Sequence, residues 1–139
     1  MQPGPSRFNI RVYGIWLHNG HVLVNEERIY GRQVTKFPGG GLELGEGTHD
    51  GLKREWQEEL GMDIQVLQHF YTTDFYQPSA FDDSHVISIY YLVRGEDPQA
   101  AITNRLENER TYWHPLAELD MDTFTLPIDK LVGELLTRL

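Results

Sequence analysis

Between Gly39 and Met62 the chain gathers the residues best suited to chemistry. Three consecutive glycines, Gly39, Gly40 and Gly41, are followed by Glu43 and Glu46 and then by Arg54, Glu55, Glu58 and Glu59. Carboxylate oxygens in this number are what hard divalent cations take as ligands. Backbone groups of a glycine run can approach a phosphate or a metal closely. At about 100° per residue, Leu52, Trp56 and Leu60 fall on one stripe of a helix. Glu55, Glu58 and Glu59, related by three and four positions, fall on the adjoining stripe. The same projection sends Arg54 away from both, toward the far side. With Lys53 and Arg54 off the acidic stripe, the carboxylates lack the interleaved cations of an ordinary solvated face. Their mutual repulsion calls for compensation, and a divalent cation would supply it. A glutamate-rich surface helix is the plain alternative for such a charge run; the glycines in front of it favour a metal or phosphate site.

The flanking sequence says what must hold these groups. Phe8 to Leu17 reads as a strand, Asn19-Gly20 as a hairpin turn and His21 to Asn25 as the return strand. Val34 to Phe37 reads as a short strand ended by Pro38, then a glycine loop, then a helix from Thr48 to Leu60 with Gly61 as its C-cap. Gly51, in the first turn, should cost that helix about 1 kcal/mol relative to alanine. Ile64 to Tyr76 and Val86 to Arg94 read as two long strands joined by a polar loop, and Arg110 to His114 as a further short strand. Ile128, Leu131, Val132, Leu135, Leu136 and Leu139 recur at helical spacing, so an amphipathic helix closes the chain. Strands, helix, strands, helix predicts an α+β arrangement: a mixed sheet with a helix on each face.

With 139 residues, the chain reads as one domain spanning 1–139, with residues 1–6 as a loose terminus. The absence of cysteine excludes disulfides, thiolate zinc sites and cysteine nucleophiles. No run approaches the length of a membrane span, so no membrane partner is expected and a cytoplasmic location is the default. A net charge of -9 argues against a nucleic-acid partner. A polyanionic substrate then requires cations between it and the protein.

The spacing closes on a known pattern. Nudix hydrolases share G-x5-E-x7-R-E-U-x-E-E-x-G-U, with U a bulky apolar residue. Here Gly40, Glu46, Arg54, Glu55, Glu58, Glu59 and Gly61 match every fixed position, with Trp56 and Met62 at the apolar ones. At residue frequencies of roughly 5–9%, chance agreement is on the order of one in 10⁸ per start position. The chain therefore resembles the Nudix hydrolase family, which implies an α/β/α sandwich: a mixed β-sheet between the box helix and a C-terminal helix. Two departures stand out, the bulk of Trp56 and Gly51 in place of the more usual alanine.

The resemblance implies a pyrophosphohydrolase that uses Mg²⁺ or Mn²⁺ to direct water onto phosphorus in a nucleoside diphosphate linked to another moiety. It implies Glu55, Glu58 and Glu59 as metal ligands, with the Gly39 carbonyl added, and Glu55 or Glu58 as an alternative general base. Arg54 would orient a carboxylate, and Glu46 would brace the loop. Glu107 and Glu109 lie where some members carry a base. Arg11, Arg32, Lys36, Gly40 and Gly41 are the candidates for substrate contact, with scattered surface charge as the alternative for the basic ones. Phe70, Tyr71, Phe75 and Tyr76 could stack on a base or pack in the core, and the loop from Gln77 to Ser84 could line the pocket. His85 reads as structural. A domain that senses a nucleotide or nucleotide sugar without cleaving it is the competing reading, and the intact glutamates count against it. The resemblance also admits a homodimer, through the apolar N-terminal strand.

Overall fold

The computed structural model describes residues 4–101, 103–106 and 109–139, with only the backbone of 103–106. Its elements run β1 (Arg7–Ile15), β2 (Leu17–His18), β3 (His21–Ile29), β4 (Arg32–Lys36), β5 (Gly39–Gly41), α1 (Thr48–Leu60), β6 (Ile64–Thr72), β7 (Ser84–Gly95), β8 (Thr103–Leu106), β9 (Glu109–Pro115) and α2 (Pro127–Leu136). A mixed sheet has the order β5-β1-β7-β6, in which β1 and β7 are parallel and the outer strands antiparallel. A second, antiparallel sheet has the order β2-β3-β9-β8, with β4 paired to β3.

Alternation along the strands divides the core between two faces. Val12, Trp16, Leu23, Tyr91 and Val93 pack with Leu52, Trp56 and Leu60 of α1. Tyr13, Ile15, Val22, Val24 and Tyr90 pack with Ile128, Val132 and Leu136 of α2. The expected mixed sheet between two helices is thus present, and the buried stripe of α1 is the one its projection gave. No described helix is long and apolar enough to cross a membrane.

Several boundaries differ from the expectation for local reasons. The glycine segment is a strand: Gly39, Gly40 and Gly41 pair with Tyr13, Val12 and Arg11. Low strand propensity disguises it, because glycine offers no side chain to pack. β3 runs on to Ile29 and turns back through Tyr30-Gly31, which hold φ of 49° and 78°. That is the same two-residue turn geometry as Asn19-Gly20, carried here by a tyrosine at the first position. β6 stops at Thr72 after two register shifts, short of Tyr76. α2 begins at Pro127, whose fixed φ suits the first helical position, and ends at Leu136 rather than Leu139. β8 has no counterpart in the sequence reading. Of the expected loose terminus, residues 1–3 lie outside the described set, and Ser6 is tied to Asp83 through its amide (3.0 Å) and hydroxyl (2.5 Å).

Candidate active site

The acidic helix is set against β5 by close approach. At Gly39, with φ of 154°, a Cβ would collide with the Val12 carbonyl oxygen. A Cβ at Gly40 would lie 2.5 Å from the Glu55 carboxylate, so Gly40 leaves a cradle that the carboxylate fills. Gly51 does the same for the loop: a Cβ there would meet Leu42 at 2.5 Å and a Glu46 carboxylate oxygen at 2.9 Å. Trp56 is fully buried, and its indole N–H donates to the Pro38 carbonyl at 3.3 Å. Gly14 on β1 makes room for it, since a Cβ there would sit 2.8 Å from the indole ring. The two departures from the family pattern are therefore packing solutions, with Gly14 answering the bulk of Trp56.

Arg54 corrects the helical projection. Its side chain folds back over the acidic stripe instead of pointing away. Nε and Nη2 donate to the two oxygens of Glu46 at 3.0 and 2.8 Å, a bidentate pair. Nη2 also donates to the Gly41 carbonyl at 2.9 Å. Nη1 donates to Glu55 at 3.1 Å and to both Glu58 oxygens at 3.1 and 3.2 Å, and lies 3.6 Å from Glu43. A projection follows the Cα–Cβ direction, and a long guanidinium stem is free to bend past it. The hydrogen bonds from Arg54 hold the Glu46 carboxyl below the usual range. The same contacts, with Glu46 first, raise Arg54 further above its ordinary value.

The three box glutamates sit in different environments. Glu58 is exposed, and burial pushes Glu55 up. Burial pushes Glu59 up to about 7 against the attraction of Lys36. Among the described residues its Oε2 is buried with no hydrogen-bond partner. Lys36 is itself only 4% exposed, with Nζ 3.2 Å from Glu27. Burial opposes its charge, but Glu59 and Glu27 outweigh the burial and raise its pKa. Glu109 adds to the negative field at Glu59, and its carboxylate accepts a hydrogen bond from buried Asn25 at 2.9 Å. Among the described residues no three acidic or imidazole groups converge on a single point. An orphaned buried carboxylate oxygen, a carboxylate cradled against glycine and an all-oxygen donor set nonetheless fit a hard divalent cation.

A cavity of about 460 Å³ opens on the α2 face of the mixed sheet, walled by β1, α2 and the loop from Phe75 to Asp82. Arg11 and Lys36 line it, and they act electrostatically on both Glu59 and Asp129. The Arg11 guanidinium donates from Nε to the Tyr13 hydroxyl at 2.6 Å, and no described carboxylate lies within ion-pair distance of it. Arg32 is outside the cavity lining, its guanidinium 5.7 Å from the Phe81 ring centroid. Gly40 and Gly41 lie on β5, in contact with Glu55 and Arg54 respectively. Phe75 and Tyr76 line the cavity, whereas Phe70 and Tyr71 pack against the core. His85 is wedged between Phe8 and Tyr76. Glu107 lies outside the described residues. Sequence reasoning passed over Asp129, a buried carboxyl in the cavity wall. The available signal was an acid directly beside the apolar positions Ile128 and Val132.

Comparison with known proteins identifies the family and the fold. A family model described as the NUDIX domain matches residues 8–135. Nudix hydrolase 2 of Arabidopsis thaliana is 41% identical over 71 residues, covering 49% of this chain and 22% of that protein. The chain thus matches about a fifth of that relative's length. Among solved structures, the E. coli ORF135 protein superposes with a TM-score of 0.73 at 17% identity, covering 95% of this chain and 90% of that one. An ADP-ribose pyrophosphatase from Streptococcus suis gives 0.64 at 16% identity, covering 91% and 84%. The chain belongs to the NUDIX family and has the fold of its hydrolases.

Proposed function

We propose that the chain is a cytoplasmic, divalent-metal-dependent pyrophosphohydrolase that cleaves a phosphoanhydride bond in a small nucleoside diphosphate derivative. The observation that carries this reading is the Glu59 oxygen, buried with no hydrogen-bond partner among the described residues and within the electrostatic reach of Lys36. A buried unpaired carboxylate oxygen is costly, and a cation is the partner that best offsets the cost. Glu55, Glu58 and Glu59, with the Gly39 carbonyl, would hold Mg²⁺ or Mn²⁺. Such an ion neutralises phosphate charge and lowers the pKa of a water bound to it.

The chain's own residues divide the remaining work. Arg54, pinned by Glu46 and the Gly41 carbonyl, holds the Glu55 and Glu58 carboxylates in place. Arg11, with no acidic partner among the described residues, offers its guanidinium to a phosphate entering from the cavity. Lys36 balances Glu59 and faces the same entrance. A proton leaving the attacking water would pass to Glu55, Glu58 or Glu109; the last, at the start of β9, acts electrostatically on Glu59. The ADP-ribose pyrophosphatase of similar fold extends the range to test from nucleoside triphosphates to ADP-ribose and nucleotide sugars.

A screen of nucleoside triphosphates, dinucleoside polyphosphates, ADP-ribose and nucleotide sugars, each with Mg²⁺ or Mn²⁺ and with phosphate and pyrophosphate release as readout, tests the proposal. Turnover of at least one class that stops on chelation is expected. Tight binding of one ligand with no turnover of any would replace this reading with the sensing domain.

A further inference from the structure

Asn25 is an amide where the alternation that buries Leu23 would continue with an apolar residue, and what it holds bears on the proton transfer; the inference rests on the hydrolase reading. It follows Val22, Leu23 and Val24 on β3 and is, like them, fully buried. Nδ2 donates to a Glu109 carboxylate oxygen at 2.9 Å and to the Thr111 hydroxyl at 3.3 Å. Oδ1 has no partner among the described residues. A buried amide oxygen without a donor is destabilising, so the fold alone would favour leucine here. Glu109 stands directly across the β3–β9 pair from Glu27, and like charges so placed repel. The two are held by different means. Lys36 Nζ, 3.2 Å from Glu27, brings a cation, whereas Asn25 brings a neutral donor and leaves Glu109 its charge. Among the described residues the Glu109 carboxylate has no other hydrogen bond and no ion pair. Of the carboxylates that act on Glu59, Glu109 acts most strongly, ahead of Glu55 one helical turn away.

We propose that Asn25 is a positioning residue for hydrolysis, and that through it Glu109, rather than Glu55 or Glu58, receives the proton of the attacking water. The Arg54 guanidinium shares the lone pairs of Glu55 and Glu58, which makes them the poorer acceptors. Glu109 keeps an oxygen that no described donor occupies, and the amide contact fixes which way the carboxylate faces. In the step, a water O–H bond breaks and its proton passes to that oxygen of Glu109. The electron pair of the broken bond stays on the water oxygen, which forms the new bond to phosphorus. The bridging phosphoanhydride oxygen leaves with the pair of the bond it loses.

The test is a double-mutant cycle read by steady-state kinetics with Mg²⁺. The substrate is the fastest-cleaved compound among the nucleoside triphosphates, dinucleoside polyphosphates, ADP-ribose and nucleotide sugars. Asn25→Leu should lower kcat at least about tenfold with KM little changed, because misaligning a reacting group costs rate rather than binding. Glu109→Gln should lower kcat by about 10²-fold or more. The double variant should be no slower than Glu109→Gln alone, because Asn25 acts only through that carboxylate. If the leucine variant does not fold, Asn25→Thr carries the same kinetic expectation: it keeps a hydroxyl for Thr111 and ends one bond short of Glu109. Native kcat in the Asn25 variants, native kcat in Glu109→Gln, or losses that multiply in the double variant would overturn the proposal. Loss of the fold in both Asn25 variants would overturn it too, by making Asn25 a structural residue. Failure of the hydrolase reading looks different: the native chain turns over no compound of any class, and this inference falls with it. Turnover by the native chain with any of the other adverse results rejects only the present inference.

Discussion

Glu59 and Arg54 are the two residues on which the site turns, and they act in opposite directions on charge. Glu59 holds a buried oxygen for which the described residues supply no hydrogen-bond donor. Arg54 spends its guanidinium on Glu46, Glu55, Glu58 and a β5 carbonyl at once. Glu59→Gln keeps the shape and removes the charge. It should lower metal-dependent kcat by at least about 10²-fold, the range seen when one preorganised electrostatic group is lost, while the circular dichroism spectrum stays native. Full activity in that variant would remove Glu59 from the site. Arg54→Lys keeps the charge and loses the fork, since an ammonium cannot make the bidentate contact to Glu46 while reaching Glu55 and Glu58. Activity should fall in this variant too, and unchanged kinetics would reduce Arg54 to a surface cation. The sequence placed Glu55, Glu58 and Glu59 correctly beside the buried stripe, because position on a helix follows from spacing alone. It misplaced Arg54, because where a four-bond stem goes depends on partners from Glu43, Glu46 and β5 that only the folded chain assembles.

At the scale of elements, local pattern and tertiary contact share the outcome unevenly. α1 and α2 were legible from their apolar repeats, and β1, β3 and β7 from their β-branched and aromatic runs. β5 was not, because three glycines carry no pattern and their strand exists only through pairing with β1. Asp129 was equally hidden as a cavity residue, because α2 meets β1 only in three dimensions, whereas the loop from Gln77 was legible as a pocket wall. The α1–β1 contact gives a direct test. Gly14→Ala would set a methyl 2.8 Å from the buried indole of Trp56, overpacking that costs about 1–3 kcal/mol. A lower melting temperature is expected, and restoration by a second change, Trp56→Leu, would localise the effect; no change in melting temperature would mean the elements shift apart freely. The α2–β7 contact has a pH signature. Burial raises Asp129 from 3.8 to about 6, so between those values the folded chain holds a proton that the unfolded chain has released. Unfolding free energy then falls as pH rises through that window. Asp129→Asn cannot titrate, so its stability relative to the native chain should increase from pH 4 to pH 7.5, by on the order of 2 kcal/mol. Glu59 titrates in both proteins and cancels. A constant difference between the two across that range in urea titrations would mean that Asp129 is not held protonated by its surroundings.

The whole molecule carries 21 acids against 12 bases, a net charge of -9, and its most crowded carboxylates lie on α1 beside β5. A cation bound there should therefore stabilise the fold as well as complete the site. Binding to the folded state alone stabilises by RT ln(1 + [L]/Kd), about 2.7 kcal/mol at a hundredfold excess over Kd. For a chain of this size that raises the melting temperature by roughly 10 °C. Thermal melts with Mg²⁺ or Mn²⁺ should show such a rise, saturating with concentration and reversed by chelator. General screening of the negative charge would also stabilise the chain, but sodium chloride at matched ionic strength would then do the same. Glu59→Gln separates the two, because it changes the net charge by only one while removing the carboxylate proposed as a ligand. A specific site predicts that the metal-dependent rise is mostly lost in that variant while the sodium response persists. An equal rise in both proteins would place the cation on the diffuse acidic surface and leave the buried Glu59 oxygen without its proposed partner.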